Sequence, residues 1–210
     1  MSAGGFIPII TDGLVFQLDA ANNLCGNVTE GKNIVNPTET GSFVNGLTVN
    51  DNSYSFDGVN DYIECGNIST NTSNFTWTAW VKTPSVLSNY KMILSSSQSY
   101  LYLSLYNSKF TFDTVSNGVF RFGPTLNTNT WYSVTIVRES NVDYAYINGG
   151  VISSKSDSTQ PAGPIYHIGN WAFNNTNSYL GSISQVKIYN RALTPTEVAQ
   201  NYEATKYRFT

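Results

Sequence analysis

The segment Tyr100-Leu-Tyr-Leu-Ser-Leu-Tyr106 constrains this chain more than any other, because strict alternation of apolar and polar residues is what a strand with one buried face requires. Leu101, Leu103 and Leu105 must face one way, and Tyr100, Tyr102 and Tyr106 the other. Asn107-Ser108 then reads as a two-residue hairpin turn, and Lys109 to Asp113 repeats the pattern with Phe110 and Phe112 inward. The same period sets Phe75, Trp77, Ala79 and Val81 against Thr76, Thr78, Trp80 and Lys82. Trp131 to Arg138 and Asp143 to Asn148 predict two further strands joined by Glu139-Ser-Asn-Val142, and Asn148-Gly149-Gly150 turns the chain into Val151-Ile-Ser153. Leu14 to Asp19 reads as a strand, and Ser53 to Glu64 as two short ones joined by a turn at Asp57-Gly58. Residues 22 to 52 are polar and rich in Gly and Asn, which predicts a long loop carrying short strand pieces.

Only the end of the chain looks helical. Thr194-Pro195-Thr196-Glu197 has the capping-box form, with Pro195 at the first helical position, and predicts a helix over about 195–206. Val198, Ala199 and Tyr202 would share the face that docks on the strands. Many short strands, frequent turns and one terminal helix in 210 residues predict a single all-β domain, a two-sheet antiparallel sandwich over 13–210. Residues 1–12 are set apart as an N-terminal arm. Ala3-Gly-Gly-Phe-Ile-Pro-Ile-Ile10 suits an extended segment that either reaches an assembly partner or lies along the domain's own sheet as an edge strand.

Charged residues are only 12% of the chain and the net charge is −3, while Ser, Thr and Asn make up about a third of it. Without a Lys/Arg run this gives no surface for nucleic acid. No stretch approaches the ~18 to 20 consecutive apolar residues of a spanning helix, so no membrane is expected as a partner. No basic residue precedes the apolar part of the N-terminus, so no secretory signal is expected. Cys25 and Cys65 form either two reduced, packed thiols or a single bridge.

Five blocks carry a family resemblance: Phe56-Asp-Gly-Val-Asn-Asp-Tyr-Ile63, Phe75-Thr-Trp-Thr-Ala-Trp-Val-Lys82, Thr130-Trp-Tyr-Ser-Val-Thr-Ile-Val137, Tyr144-Ala-Tyr-Ile-Asn-Gly-Gly150 and Gly181 to Leu193. With the opening Gly13-Leu-Val-Phe-Gln-Leu-Asp-Ala20, the chain resembles the laminin G-like, concanavalin A-like lectin/glucanase domains from end to end. The resemblance implies a jelly-roll sandwich. It leaves function open, because this fold carries lectins, glycosidases, adhesion modules and virion proteins alike. Asn190 to Phe209 is similar to the tail of many structural proteins of tailed phages.

Glycosidases of this fold use a Glu-x-Asp-x-Glu type strand motif that places two carboxylates on one face. None of Glu30, Glu39, Glu64, Glu139, Glu197 and Glu203 has an Asp two positions on, so no catalytic residue is assigned. His167 is the single histidine and reads as a structural residue in an apolar strand. Asp57, Asn60 and Asp61 could offer three hard oxygens to a calcium ion on a tight loop; the plain alternative is a turn at Asp57-Gly58 with Asp61 capping loop amides. Trp80, Tyr100, Tyr102 and Tyr106, on faces opposite the core, suit a saccharide or protein partner, as does the loop group Asn170, Trp171 and Asn174 with Asn175. The alternative is that the long 22–52 loop or a neighbouring subunit covers the first set, and that Trp171 anchors its loop.

These observations predict a non-catalytic jelly-roll that decorates a phage virion surface or fibre, assembled in the host cytoplasm. Its expected partners are other virion proteins or a second copy of itself, with cell-surface glycans as a further ligand. No cofactor is required, and calcium is the one metal the reading admits. A free extracellular carbohydrate-binding lectin is the alternative, and a degenerate glycoside hydrolase the third.

Overall fold

A computed structural model describes residues 7–25, 29–50, 52–69, 73–96, 101–114, 118–159, 164–172, 174 and 176–209. Its strands are, in chain order, β1 (Leu14–Asp19), β2 (Glu30–Lys32), β3 (Thr40–Val44), β4 (Thr48–Asn50), β5 (Ser53–Asp57), β6 (Tyr62–Ile68), β7 (Asn74–Lys82), β8 (Lys91–Ser96), β9 (Leu101–Tyr106), β10 (Lys109–Thr114), β11 (Phe120–Phe122), β12 (Trp131–Glu139), β13 (Val142–Ile147), β14 (Gly150–Ser156), β15 (Ile165–Ile168) and β16 (Leu180–Tyr189). A single α-helix, α1 (Pro195–Glu203), follows them. The first sheet runs β14-β13-β12-β7-β16-β5-β4, with β1 paired to the second half of β16 beyond β5. The second runs β11-β10-β9-β8-β15-β6-β3-β2.

Alternation builds the core between them. Leu101, Leu103, Leu105, Phe110 and Phe112 from the second sheet join Phe75, Trp77, Ala79, Val81, Val134 and Ile136 from the first in one buried cluster. Trp77 meets Phe112 edge-on across the sandwich at 5.6 Å between ring centres. The hairpin between β9 and β10 turns on Asn107 and Ser108 at φ +46 and +64, the mirror-image turn whose twist matches paired strands. Asn148 and Gly149 form the equivalent turn at φ +51 and +78, so Gly150 is already the first residue of β14.

Residues 22–52 do carry short strand pieces, but these extend the sheets. β2 and β3 continue the second sheet beyond β6, and β4 pairs with β5 in the first. Cys25 and Cys65 are separate free thiols, both buried, and burial pushes Cys25 up to about 11 and Cys65 higher still.

The capping box is present in full at Thr194 and Glu197, yet α1 ends at Glu203, short of the predicted boundary, and a tight turn over Lys206–Arg208 follows. Val198 and Tyr202 dock on the first sheet as predicted, Tyr202 stacking on Trp80, while Ala199 is only half-buried and the buried positions include Asn201 and, after the helix, Ala204 and Thr205. The physical reason for the polar positions is that α1 packs Val198 on an apolar cluster but also covers polar groups of the first sheet, which Asn201 must meet with hydrogen bonds. Asn201 Nδ2 donates to Tyr189 Oη at 3.0 Å, and Asn201 Oδ1 accepts from Ile10 N at 2.8 Å. Residues 7–11 therefore belong to no strand. Gln200 donates to Pro8 O, Tyr189 Oη donates to Ile10 O, and Asp12 pairs with Arg191, which holds this part of the arm along the helix. Residues 1–6 lie outside the described residues.

Candidate functional site

Strand register alone places the site. On the outer face of the second sheet, Ser42 pairs with Glu64, Glu64 with His167, His167 with Ser95, Ser95 with Tyr102 and Tyr102 with Asp113. One row of polar and aromatic side chains thus crosses β3, β6, β15, β8, β9 and β10. Ile63, Leu94, Leu103 and Phe112, one position away in their strands, point into the core. A bulge between Ile165 and His167 breaks the alternation of β15 and puts Tyr166 and His167 together on the outer side.

The centre of the row is closed. Ser95 Oγ donates to Asn170 O at 2.7 Å and accepts from Ala172 N at 3.0 Å, which ties the loop after β15 across β8. That loop brings Trp171 edge-on to Tyr102, with ring centres 6.2 Å apart. Tyr102 is only 5% exposed and its hydroxyl donates to Asp113 Oδ2 at 3.0 Å, so burial and the nearby carboxylate both hold the phenol protonated. Two predicted contact residues are therefore corrected to framework residues: Tyr102 beneath the loop, and Asn170, which is 0% exposed. Asn174 is exposed at the tip of the loop and accepts from Thr176 Oγ1 at 2.5 Å. Tyr100 and Asn175 lie outside the described residues.

Two regions of this outer face are accessible. Off the row, four residues along β9 from Tyr102, Tyr106 is half-buried, stacked on Tyr90 with centres 4.2 Å apart, and Arg121 lies over its ring at 4.8 Å. Lys109 stands directly opposite Tyr106 on β10. On the β6 and β15 side of the face Tyr62 lies against His167 at 4.2 Å, and Tyr166 donates to Glu64 Oε1 at 2.7 Å. Burial holds His167 at about 4, with Glu64 opposing, so the imidazole is neutral at neutral pH and behaves as an apolar ring.

Trp80 does not belong to this surface. It sits on β7 of the first sheet, 4% exposed, under the C-terminal segment. Its indole Nε1 donates to Thr205 Oγ1 at 2.9 Å, and its ring stacks with both Phe209 and Tyr202. Alternation correctly set Trp80 opposite the core, but the outer faces of two different sheets are not one surface. The chain's own C-terminal segment covers it, not the 22–52 loop.

The Asp57-Gly58-Val59-Asn60-Asp61 loop is held by its own carboxylates. Asp57 Oδ1 accepts from Val59 N at 2.7 Å, and Asp61 Oδ2 accepts from Asp57 N at 2.9 Å. That leaves Asp61 Oδ1, buried and without a hydrogen-bond partner, as the free acceptor of the loop, and burial pushes this carboxyl up. Among the described residues no group of three or more His, Cys, Asp or Glu side chains converges as a metal site. A calcium ion here would take Asp61 Oδ1 and draw most of its six to eight ligands from carbonyls and water.

Sequence reasoning missed Tyr62, Glu64, Tyr90, Lys109, Tyr166 and Arg121 as surface-forming residues of the site. Some of them carried a signal. Tyr62 and Glu64 alternate with Ile63 and Cys65, and Arg121 stands between Phe120 and Phe122, so each is outward by the same rule that placed Tyr106.

The comparisons agree with this architecture. The sialidase of Trypanosoma rangeli superposes with a TM-score of 0.76 at 16% identity, over 99% of this chain and 37% of that one. The binding domains of Paraclostridial Mosquitocidal Protein 1 and of botulinum neurotoxin serotype D each superpose with a TM-score of 0.65 at 17% identity, over 91% and 92% of this chain respectively and 52% of theirs. The chain thus spans well under two thirds of the length of each, and at such identities the likeness is one of fold. None of the curated proteins compared matches the sequence. The model of the concanavalin A-like lectin/glucanases superfamily matches residues 57–199, more than half of the chain, and the protein belongs to that superfamily.

Proposed function

We propose that the protein is a non-catalytic binding module that engages glycans, and protein partners bearing them, through the outer face of its second sheet. The observation that carries this reading is the accessible aromatic end of that face, where Tyr90, Tyr106 and Arg121 are stacked beside Lys109. Tyrosine ring faces stack on the apolar faces of sugars, and neighbouring polar groups supply orientation.

Carboxylate spacing supports the non-catalytic part. Glu64 and Asp113 lie in one row but four strand spacings apart, about 19 Å at the usual separation of paired strands. Glycosidic acid and nucleophile or base carboxyls stand roughly 5 to 9.5 Å apart. Both carboxylates also accept from a tyrosine hydroxyl.

The similarity of residues 190–209 to phage structural proteins supports placing the module on a virion surface, among other virion proteins or copies of itself. A free lectin would use the same face without a particle. A glycan array on the purified chain, run with and without calcium, tests the proposal. Binding that is lost in Tyr106→Ala and kept without calcium is the expected result; an array with no bound glycan in either condition overturns it.

A further inference from the structure

Three of the four arginines are committed to carboxylates. Arg138 is buried against Asp143 and Asp157, Arg191 pairs with Asp12 and Glu197, and Arg208 pairs with Asp19. Among the described residues Arg121 makes no ion pair and no hydrogen bond. It is exposed on β11, directly opposite Thr111 of β10, and its guanidinium lies 4.8 Å from the centre of the Tyr106 ring. Lys109, two positions before Thr111 on the same face and opposite Tyr106, has no ion-pair partner among the described residues either. In a chain of net charge −3 with only 11 Lys and Arg, two uncommitted cations stand beside one accessible pair of stacked rings.

We infer that the Tyr90–Tyr106–Lys109–Arg121 end of the outer face is a subsite for an acidic saccharide, a sugar unit carrying a carboxylate such as a uronate. The inference rests on the glycan-binding reading above and names the ligand class of that site. A guanidinium held over an aromatic ring keeps N–H donors free at its edge, and the guanidinium fork matches a carboxylate with two parallel hydrogen bonds. Lys109, beside Tyr106 on β10, adds a second, less directional charge. The acid further along β10, Asp113, is buried and accepts from Tyr102, so it is already occupied. The β6 and β15 side of the face has a different character, because Glu64 accepts from Tyr166 there and would repel an anion. One face therefore offers an anion-accepting end and an anion-rejecting end, which fixes the direction in which a chain with one acidic terminus lies across it.

The test uses the full chain, an oligogalacturonate, its carboxyl-reduced neutral counterpart and polyglutamate, with affinities measured by titration calorimetry. The acidic sugar is expected to bind roughly tenfold or more tightly than the reduced one, the scale of one charge-assisted pair. That preference should fall steeply as salt rises. Arg121→Gln should remove the preference, bringing the affinity for the acidic sugar down to that for the neutral one, and Lys109→Gln should reduce it in part. Both side chains lie on the surface, and an unchanged melting temperature confirms that the variants fold. Equal binding of the two sugars, or a preference that survives Arg121→Gln, overturns the inference and leaves the glycan-binding reading standing. Binding of neither sugar overturns both. Polyglutamate binding as tightly as the acidic sugar overturns the saccharide class, because charge alone would then account for the attraction.

Discussion

Phe209 lies flat on the indole of Trp80, with ring centres 4.1 Å apart and planes 21° from parallel. The two residues are far apart in sequence, and their contact decides which sheet can work as a binding surface. The C-terminal segment covers the part of the first sheet's outer face around Trp80, and in the proposed function the outer face of the second sheet meets the ligand. Trp80→Ala is expected to cost about 3 to 5 kcal/mol of stability and Phe209→Ala roughly 1 to 2 kcal/mol, measured by urea unfolding. Folded Phe209→Ala should bind glycan as the parent does. Tighter binding by that variant would move the site to the Trp80 face.

Leu103 and Tyr102 are neighbours that differ in what they support. Leu103→Ala opens a cavity in the core between the sheets and is expected to cost about 2 to 5 kcal/mol. Tyr102→Phe keeps the buried ring and removes the hydrogen bond to Asp113, so it should cost about 1 to 3 kcal/mol. Thermal unfolding of the two variants in parallel checks the order. A neutral Tyr102→Phe would show that water replaces the hydroxyl and that the face is less closed than described.

Alternation made most of the fold legible, because burial on one face of a strand is written directly in residue order. It assigned the inward leucines of β9, the inward phenylalanines of β10 and the inward Trp77 without knowledge of topology. What it could not supply was which sheet each strand joins, since pairing between β7 and β16 or between β8 and β15 is set by contacts distant in sequence. The grouping of Trp80 with Tyr102 and Tyr106 failed for that reason. Likewise, Arg121 was visible as an outward residue, but its place over Tyr106 depends on β9, β10 and β11 being consecutive neighbours.

His167 gives the stability curve a defined feature. Burial holds it at about 4, below the ordinary imidazole value of 6.5, so the unfolded chain takes up this proton first as pH falls. The contribution is complete above about 6.5, is lost between about 6.5 and 4 at up to about 1.4 kcal/mol per pH unit, and is level below that. Denaturant unfolding at a series of pH values should show this slope in the parent and lack it in His167→Phe. Identical slopes would mean that His167 is solvated and titrates normally.

The arm separates into two parts with different expected effects. Removing residues 1–6 keeps every contact described at Pro8, Ile10 and Asp12, and should leave the melting temperature unchanged. Removing residues 1–11 leaves Asn201 Oδ1 buried without its backbone donor, and should lower the melting temperature by several degrees. Equal melting temperatures for the two truncations, read by calorimetry, would show that the arm contributes nothing to the domain.

The central claim is that the outer face of the second sheet, at Tyr106, is the binding surface. Its most direct measurement is a calorimetric titration of the tightest glycan from the array against the parent, Tyr106→Ala and Trp80→Phe. The account predicts that Tyr106→Ala weakens binding about tenfold or more with little change in melting temperature, while Trp80→Phe leaves affinity unchanged. Undiminished affinity in Tyr106→Ala, or a loss confined to Trp80→Phe, would contradict it.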